Sequence, residues 1–453
     1  MALRKFVLLL VPLFCAYAAV PKELQALADQ ARALPPEFSA DVLLKLAASP
    51  LANDPKWKRG LIEDAFLGAA HAQSPYRMRG DTRVAAGDVS SGHLEALMLQ
   101  TRAVEAMLAL DPQRALTMLQ DVPKPDLPKL SCQHALTPDV SAYYQTASAL
   151  FSGAFTAVQR RKGDDIQFLR QLVAATESPS QVVPALKLVD QVELSPQNRT
   201  ELIALFAVAL DRLNGGDREF SASESLLVTA AVPEVHETFF LPALRAYIVR
   251  HVSGPRCSDQ IAAGQSPESV TEFNKLISRI DPSGTQFHPI GAKEAEPLKD
   301  DGTYSQTEMG QSPHAQQMLR TVLALGHAVR SSKEWTAQYY EALKLIESWQ
   351  PEEEASEEDY SFMCAVYYAN LLDVVVDGPV HQNALSSALH FLEQQYGSLE
   401  NRGLWFQEFR QLFSSFRLSS ANPDQAWLLD QLVHSRNSVI SVYAQIEKLL
   451  RKS

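Results

Sequence analysis

The sequence predicts an all-α protein of about eighteen helices, built from antiparallel helix hairpins stacked as a solenoid, a superhelix or another α/α array. Three observations carry that expectation. Proline is plentiful at 26 and glycine scarce at 19, and at least eight prolines directly follow a Ser, Thr, Asp or Asn. Behind these pairs, apolar residues recur at spacings of three and four. Stretches that alternate with a period of two are nearly absent, so no strand is expected.

The eight pairs are Asp54-Pro55, Asp111-Pro112, Thr137-Pro138, Ser178-Pro179, Ser195-Pro196, Ser266-Pro267, Ser312-Pro313 and Asn422-Pro423. In each, a side-chain oxygen can accept from the free amides of a helix's first turn. The proline that follows has no amide to leave unpaired and is already at helical φ. Each pair therefore reads as a helix start.

Taken in order, residues 1–18 read as a signal peptide. Arg4 and Lys5 make a basic start, residues 6–15 an apolar run, and Ala16-Tyr17-Ala18 a small-x-small cleavage site. Phe14, directly before Cys15, does not suit a lipid-attachment signal. The run is about half of the roughly 20 apolar residues that a spanning helix needs, and Pro12 interrupts it. The protein is thus expected to be exported, secreted or periplasmic, with no stable membrane anchor after cleavage.

Residues 19–280 read as an N-terminal helical domain. Leu94, Leu97, Met98, Thr101, Val104 and Leu108 give one apolar stripe within it. The following stretch, "RAVEAMLALDPQRALTMLQDVP", resembles the inter-repeat turn of tetratricopeptide proteins through Ala106, Leu110, Asp111, Pro112 and Ala115. The resemblance spans about 20 residues and implies helical-repeat architecture alone, with no binding residue carried over, because the family's Trp, Gly and Tyr positions do not recur with its 34-residue period. Further on, Arg160, Arg161 and Lys162 suit a helix C-terminus, Gly163 the left-handed closing residue, and Asp164 or Asp165 the next cap.

Two segments interrupt the helical pattern. Residues 74–92 have no sustained periodicity and carry Arg77, Arg79 and Arg83 beside Tyr76, a basic and aromatic cluster able to grip a carboxylate or acidic peptide through forked guanidinium contacts. Residues 281–312 read as a linker or long loop, and residues 313–453 as a C-terminal helical domain. That domain ends in the stripe Val439, Ile440, Tyr443, Ile446 and Leu450. Without Cys15, three cysteines remain. Cys132 and Cys257 lie in turn-rich stretches and form the expected disulfide of an exported chain, whereas Cys364 lies in the apolar "FMCAVYYANLL" and reads as a core thiol.

With 41 basic and 53 acidic residues the net charge is −12, which argues against a nucleic-acid partner. The sequence holds no HExxH, GxSxG, SxxK, phosphate loop or dinucleotide fingerprint. No catalytic residue, metal or cofactor is therefore expected. The function class that fits is a non-enzymatic scaffold of the cell envelope that holds a protein or peptide between hairpins. The alternative is an exported α/α-toroid hydrolase or lyase using two carboxylates on a glycan. Mass spectrometry of unreduced protein is expected to recover the Cys132 and Cys257 peptides joined and Cys364 free; both cysteines recovered as alkylated thiols from oxidised, folded protein would contradict the bridge.

Overall fold

The computed structural model describes residues 20–73, 78–80, 93–127, 136–213, 220, 239–256, 268–296, 298–299, 317, 320–321, 324–325, 333–349, 357–374, 378–397, 402–414 and 423–450. Among them are eighteen helices. The N-terminal run is α1 (Lys22–Arg32), α2 (Pro36–Ala48), α3 (Pro55–Ala69), α4 (Ala96–Leu108), α5 (Pro112–Asp121) and α6 (Ser141–Gly153). The middle run is α7 (Ala157–Lys162), α8 (Asp164–Ala174), α9 (Pro179–Gln191), α10 (Pro196–Arg212), α11 (Phe240–Val252) and α12 (Glu268–Ile280). The last six are α13 (Lys333–Ser348), α14 (Glu357–Val374), α15 (Pro379–Gln395), α16 (Arg402–Ser414), α17 (Pro423–Val433) and α18 (Ser438–Leu450). No described helix is long and apolar enough to cross a membrane. The residues read as a signal peptide lie outside the described ones.

Four of the Ser/Asp-Pro pairs start helices through the bond expected of them. The Asp54 carboxylate accepts from the Lys56 amide at 2.9 Å, Asp111 from Arg114 at 3.0 Å, Ser178 from Ser180 at 3.2 Å and Ser195 from Asn198 at 3.3 Å. Ser178 also forms a capping box with Gln181. Pro423 opens α17, while Asn422, Ser266-Pro267 and Ser312-Pro313 lie outside the described residues. Thr137-Pro138 is a correction: it belongs to a strand, and α6 starts three residues later. There the Asp139 side chain accepts from the Ser141 amide at 2.9 Å and turns the chain into the helix.

Arginines of neighbouring helices close the C-terminal ends of α6, α8 and α10. Gly163 takes the left-handed conformation at the α7 C-terminus (φ 80°), as its place after the basic run suggested. Arg160, however, reaches across to the end of α6 and donates to the Phe151 and Ser152 carbonyls at 2.6 and 3.1 Å. Arg212 does the same for Ala174 in α8, and Arg250 for Leu210, Asp211 and Leu213 at the end of α10. Each guanidinium satisfies carbonyls that the helix itself leaves unpaired.

Packing follows the pattern of stacked hairpins. Most helices touch their immediate neighbours in sequence, the next but one is touched in α2–α4, α4–α6, α8–α10, α13–α15, α14–α16 and α15–α17, and α6 also touches α9. Contacts of the second kind arise when successive hairpins lie against each other in two layers. Among the described residues, strand content is confined to two short pairs. β1 (Met78–Gly80) runs antiparallel to β2 (Leu136–Pro138), and β3 (Pro255–Arg256) parallel to β4 (Leu298–Lys299).

Part of the segment read as a linker is seated on the helices. Arg245 of α11 donates to the His288 and Pro289 carbonyls at 3.0 and 3.1 Å and to the Glu294 carboxylate at 2.8 Å. Asn274 of α12 bonds the backbone of Ile290 in both directions, and Phe287, Ile290 and Ala295 are buried. The buried apolar residues form one cluster that runs from Leu24 to Ile446. Asp111→Ala, which removes a cap and a half-exposed ion pair with Arg59 without touching the core, is expected to cost about 1 kcal/mol in chemical denaturation with an unchanged dependence on denaturant.

Candidate functional site

The two ends of the array meet. α18 packs against α1 and α2, and α16 brings an aromatic face to the same place. α2 follows Pro35, opens with Pro36 and runs "PEFSADVLLKLAA", buried on nearly every side, polar Glu37, Ser39 and Asp41 included. Phe38 meets Trp405 and Phe406 edge-on at 6.0 and 5.4 Å, and Phe406 lies 4.8 Å from Tyr443. Trp405 is fully buried, with its indole N–H donating to the Leu392 carbonyl at 2.8 Å.

Inside this apolar contact sits Asp41, only 3% exposed. The Tyr443 hydroxyl donates to its Oδ2 at 2.6 Å across 402 residues of chain, Lys45 pairs with Oδ2 at 2.8 Å, and Arg102 of α4 pairs with Oδ1 at 2.7 Å. Lys45 also lies 4.3 Å from the centre of the Tyr443 ring. Burial by itself would raise the Asp41 pKa. The charges of Lys45 and Arg102, with the bonds from Lys45 and Tyr443, outweigh it and hold the carboxyl well below the usual range. Burial pushes the Tyr443 hydroxyl far up, and the Asp41 charge adds to the shift. One turn earlier on α2, the buried Glu37 faces Arg402 of α16 at 3.5 Å.

A second feature lies at the N-terminal end of α18. α15, the end of α17 and the turn at 434–437 enclose an open-sided cavity of about 820 Å³. Its walls mix polar and apolar groups: Ser386, Leu389, His390, Glu393 and Gln394 come from α15, Tyr396 follows it, Gln431 comes from α17, and His434 to Ser438 from the turn and the start of α18. Local bonds fix the turn. The Asn437 side chain accepts from the Val439 and Ile440 amides at 2.9 and 3.2 Å, the Ser435 hydroxyl donates to Glu393, and Ser441 donates to the Val433 carbonyl at 2.7 Å. The His434 ring donates from Nδ1 to the Asp430 carbonyl at 2.7 Å, and His390 meets the Gln394 amide at 2.8 Å. This arrangement offers hydrogen bonds and one guanidinium, that of Arg436, to a ligand several residues long.

The residues singled out in the sequence fall elsewhere. Tyr76, Arg77 and Arg83 lie outside the described residues. The backbone of Arg79 belongs to β1, opposite Thr137 of β2. Cys132 and Cys257 are also outside the described residues, and the strands beside them, β2 and β3, belong to different sheets. Cys364 is the buried core thiol expected of it, and burial raises its pKa to about 12. Four groups were missed in the sequence: Asp41, Tyr443, Glu37 and Arg436. The first two are ordinary members of helical stripes, and only the meeting of the chain ends gives them a role.

Of the carboxylate pairs that a glycan-cleaving site would need, Glu37 and Asp41 stand one turn apart, but both are buried against cations in the contact between chain ends. Among the described residues no cluster of His, Cys, Asp or Glu could hold a metal ion. No family model, curated protein or solved structure matches the chain.

Two substitutions test the contact between the ends. Asp41→Asn leaves Lys45 and Arg102 without their anion and is expected to cost about 3 kcal/mol near neutral pH. Tyr443→Phe removes one bond to a charged group and is expected to cost about 1.5 kcal/mol. Because the folded pKa of Asp41 is depressed, its contribution is complete above the ordinary carboxylate pKa of about 3.9 and fades as pH falls below that. The stability gap between wild type and Asp41→Asn should therefore narrow in acid; a gap that is constant from pH 7 to pH 3 would show that Asp41 is not the charged partner.

Proposed function

We propose that the protein is an exported, non-enzymatic scaffold that holds a peptide segment of a partner in the groove between α15 and the α17–α18 turn. The observation that carries this reading is the groove itself. It is large enough for several residues of extended chain, open along one side, and lined by amides, hydroxyls and imidazoles suited to main-chain hydrogen bonds. Its walls are helices braced from behind, α15 by α14 and α16 and α18 by α1 and α2, so little order has to be created on binding. Export rests on the signal-like N-terminus.

The arginines Arg77, Arg79 and Arg83 are a second candidate for the same kind of partner, on the strength of the sequence. Selection from a displayed random-peptide library separates the two. A peptide family held by the groove should bind wild type and lose about tenfold or more in affinity to Ser386→Trp, where the indole fills the cavity, while a variant with all three arginines changed to serine keeps its binding. Failure to enrich any family, or binding untouched by the filled groove, contradicts the reading.

A further inference from the structure

We propose that the groove selects acidic peptides, with Arg436 anchoring one ligand carboxylate. The inference rests on the peptide-holding reading and adds the chemistry of the ligand. It follows from the state of the charges around the cavity. Of the carboxylates nearby, Asp430 faces Lys448 at 3.4 Å and the His434 ring at 3.8 Å, while Glu393, in the groove wall, accepts from the neutral Ser435 hydroxyl, which does not offset its charge, so a ligand carboxylate has to sit on the Arg436 side. Arg436 is exposed, lines the cavity, and has no carboxylate partner among the described residues. That contrasts with Arg32, Arg102, Arg114, Arg160, Arg170 and Arg245, each of which holds a carboxylate.

The rest of the lining fits an acidic chain. The α18 amides of Val439 and Ile440 are already taken by Asn437, so the helix end itself is not the anion site and the guanidinium must supply the charge. A guanidinium presents a planar fork of donors that matches a carboxylate, a match that an ammonium lacks. Around it the Gln394 and Gln431 side-chain amides and the Ser438 hydroxyl offer neutral hydrogen bonds to backbone groups. The protein's net charge of −12 repels an acidic ligand at long range, so recognition depends on contact with this local cation and not on steering.

Fluorescence polarisation with three labelled hexapeptides tests the proposal on the full chain. They are C-terminally amidated hexaglutamate, amidated hexaglutamine, and hexaglutamine with a free C-terminus, so that side-chain and terminal carboxylates are scored apart. At least one carboxylate-bearing peptide should bind about 10- to 100-fold more tightly than amidated hexaglutamine, and Arg436→Gln should erase that difference with an unchanged melting temperature. Arg436→Lys should keep only part of it. Equal binding of all three peptides, no binding of either acid, or a preference that survives Arg436→Gln overturns the proposal. A preference lost instead in the Arg77, Arg79, Arg83→Ser variant places the acidic site in that segment and overturns it too. A library that enriches a groove-dependent family without acidic residues leaves the peptide-holding reading standing and removes this one alone.

Discussion

Asp41 is a charged carboxylate shut inside the contact between the first and last parts of the chain, and the ends of the array depend on keeping it paired. A buried anion without partners costs several kcal/mol, so the helices that supply its partners are held in one arrangement. Lys45 comes from its own helix, Arg102 from α4 and Tyr443 from α18. Apolar burial supplies the bulk attraction here, through Phe38, Trp405, Phe406 and Phe409. The carboxylate supplies registry: a shift of α18 by one residue would carry the Tyr443 hydroxyl away from Asp41 while leaving much of the greasy contact in place.

That registry reaches the groove. α18 is thirteen residues long, and its two ends of use are close together: Ser438 borders the cavity, and Tyr443 follows less than two turns later. Holding Tyr443 on Asp41 therefore holds the turn at 434–437 opposite α15. The Asn437, Ser435 and Ser441 bonds then set the turn's shape, and Arg436 is left projecting from a braced element. A binding residue on a short, well-capped turn keeps its geometry better than one on a long irregular segment.

Much of the fold was legible in the sequence because helix boundaries are local events. Asp54-Pro55, Asp111-Pro112, Ser178-Pro179 and Ser195-Pro196 carry their instructions in two adjacent residues, and Gly163 closes α7 as its neighbours implied. Thr137-Pro138 misled because the same pair also suits an extended strand, and Asp139, two residues closer to the helix, supplied the turn. The arginine caps were partly legible: charge at a helix end was evident at Arg160, but the end it serves belongs to α6. The candidate site was not legible. A tyrosine at one position of the final stripe looks like packing, and nothing near Asp41 announces a partner 402 residues away. α2 did hold one unused signal, since Phe38, Val42, Leu43, Leu44 and Leu46 surround its axis and mark a helix enclosed on all sides.

The central claim is that α2 and α18 belong to one cooperative unit although they stand at opposite ends of the chain. Native-state hydrogen exchange of the full-length protein, followed peptide by peptide, tests it most directly. The account predicts that amides in Pro36–Ala48 and in Ser438–Leu450 are both strongly protected and open together, with the same dependence on denaturant. Fast, independent exchange of Ser438–Leu450, as in a frayed terminus, with Pro36–Ala48 still protected, would contradict it.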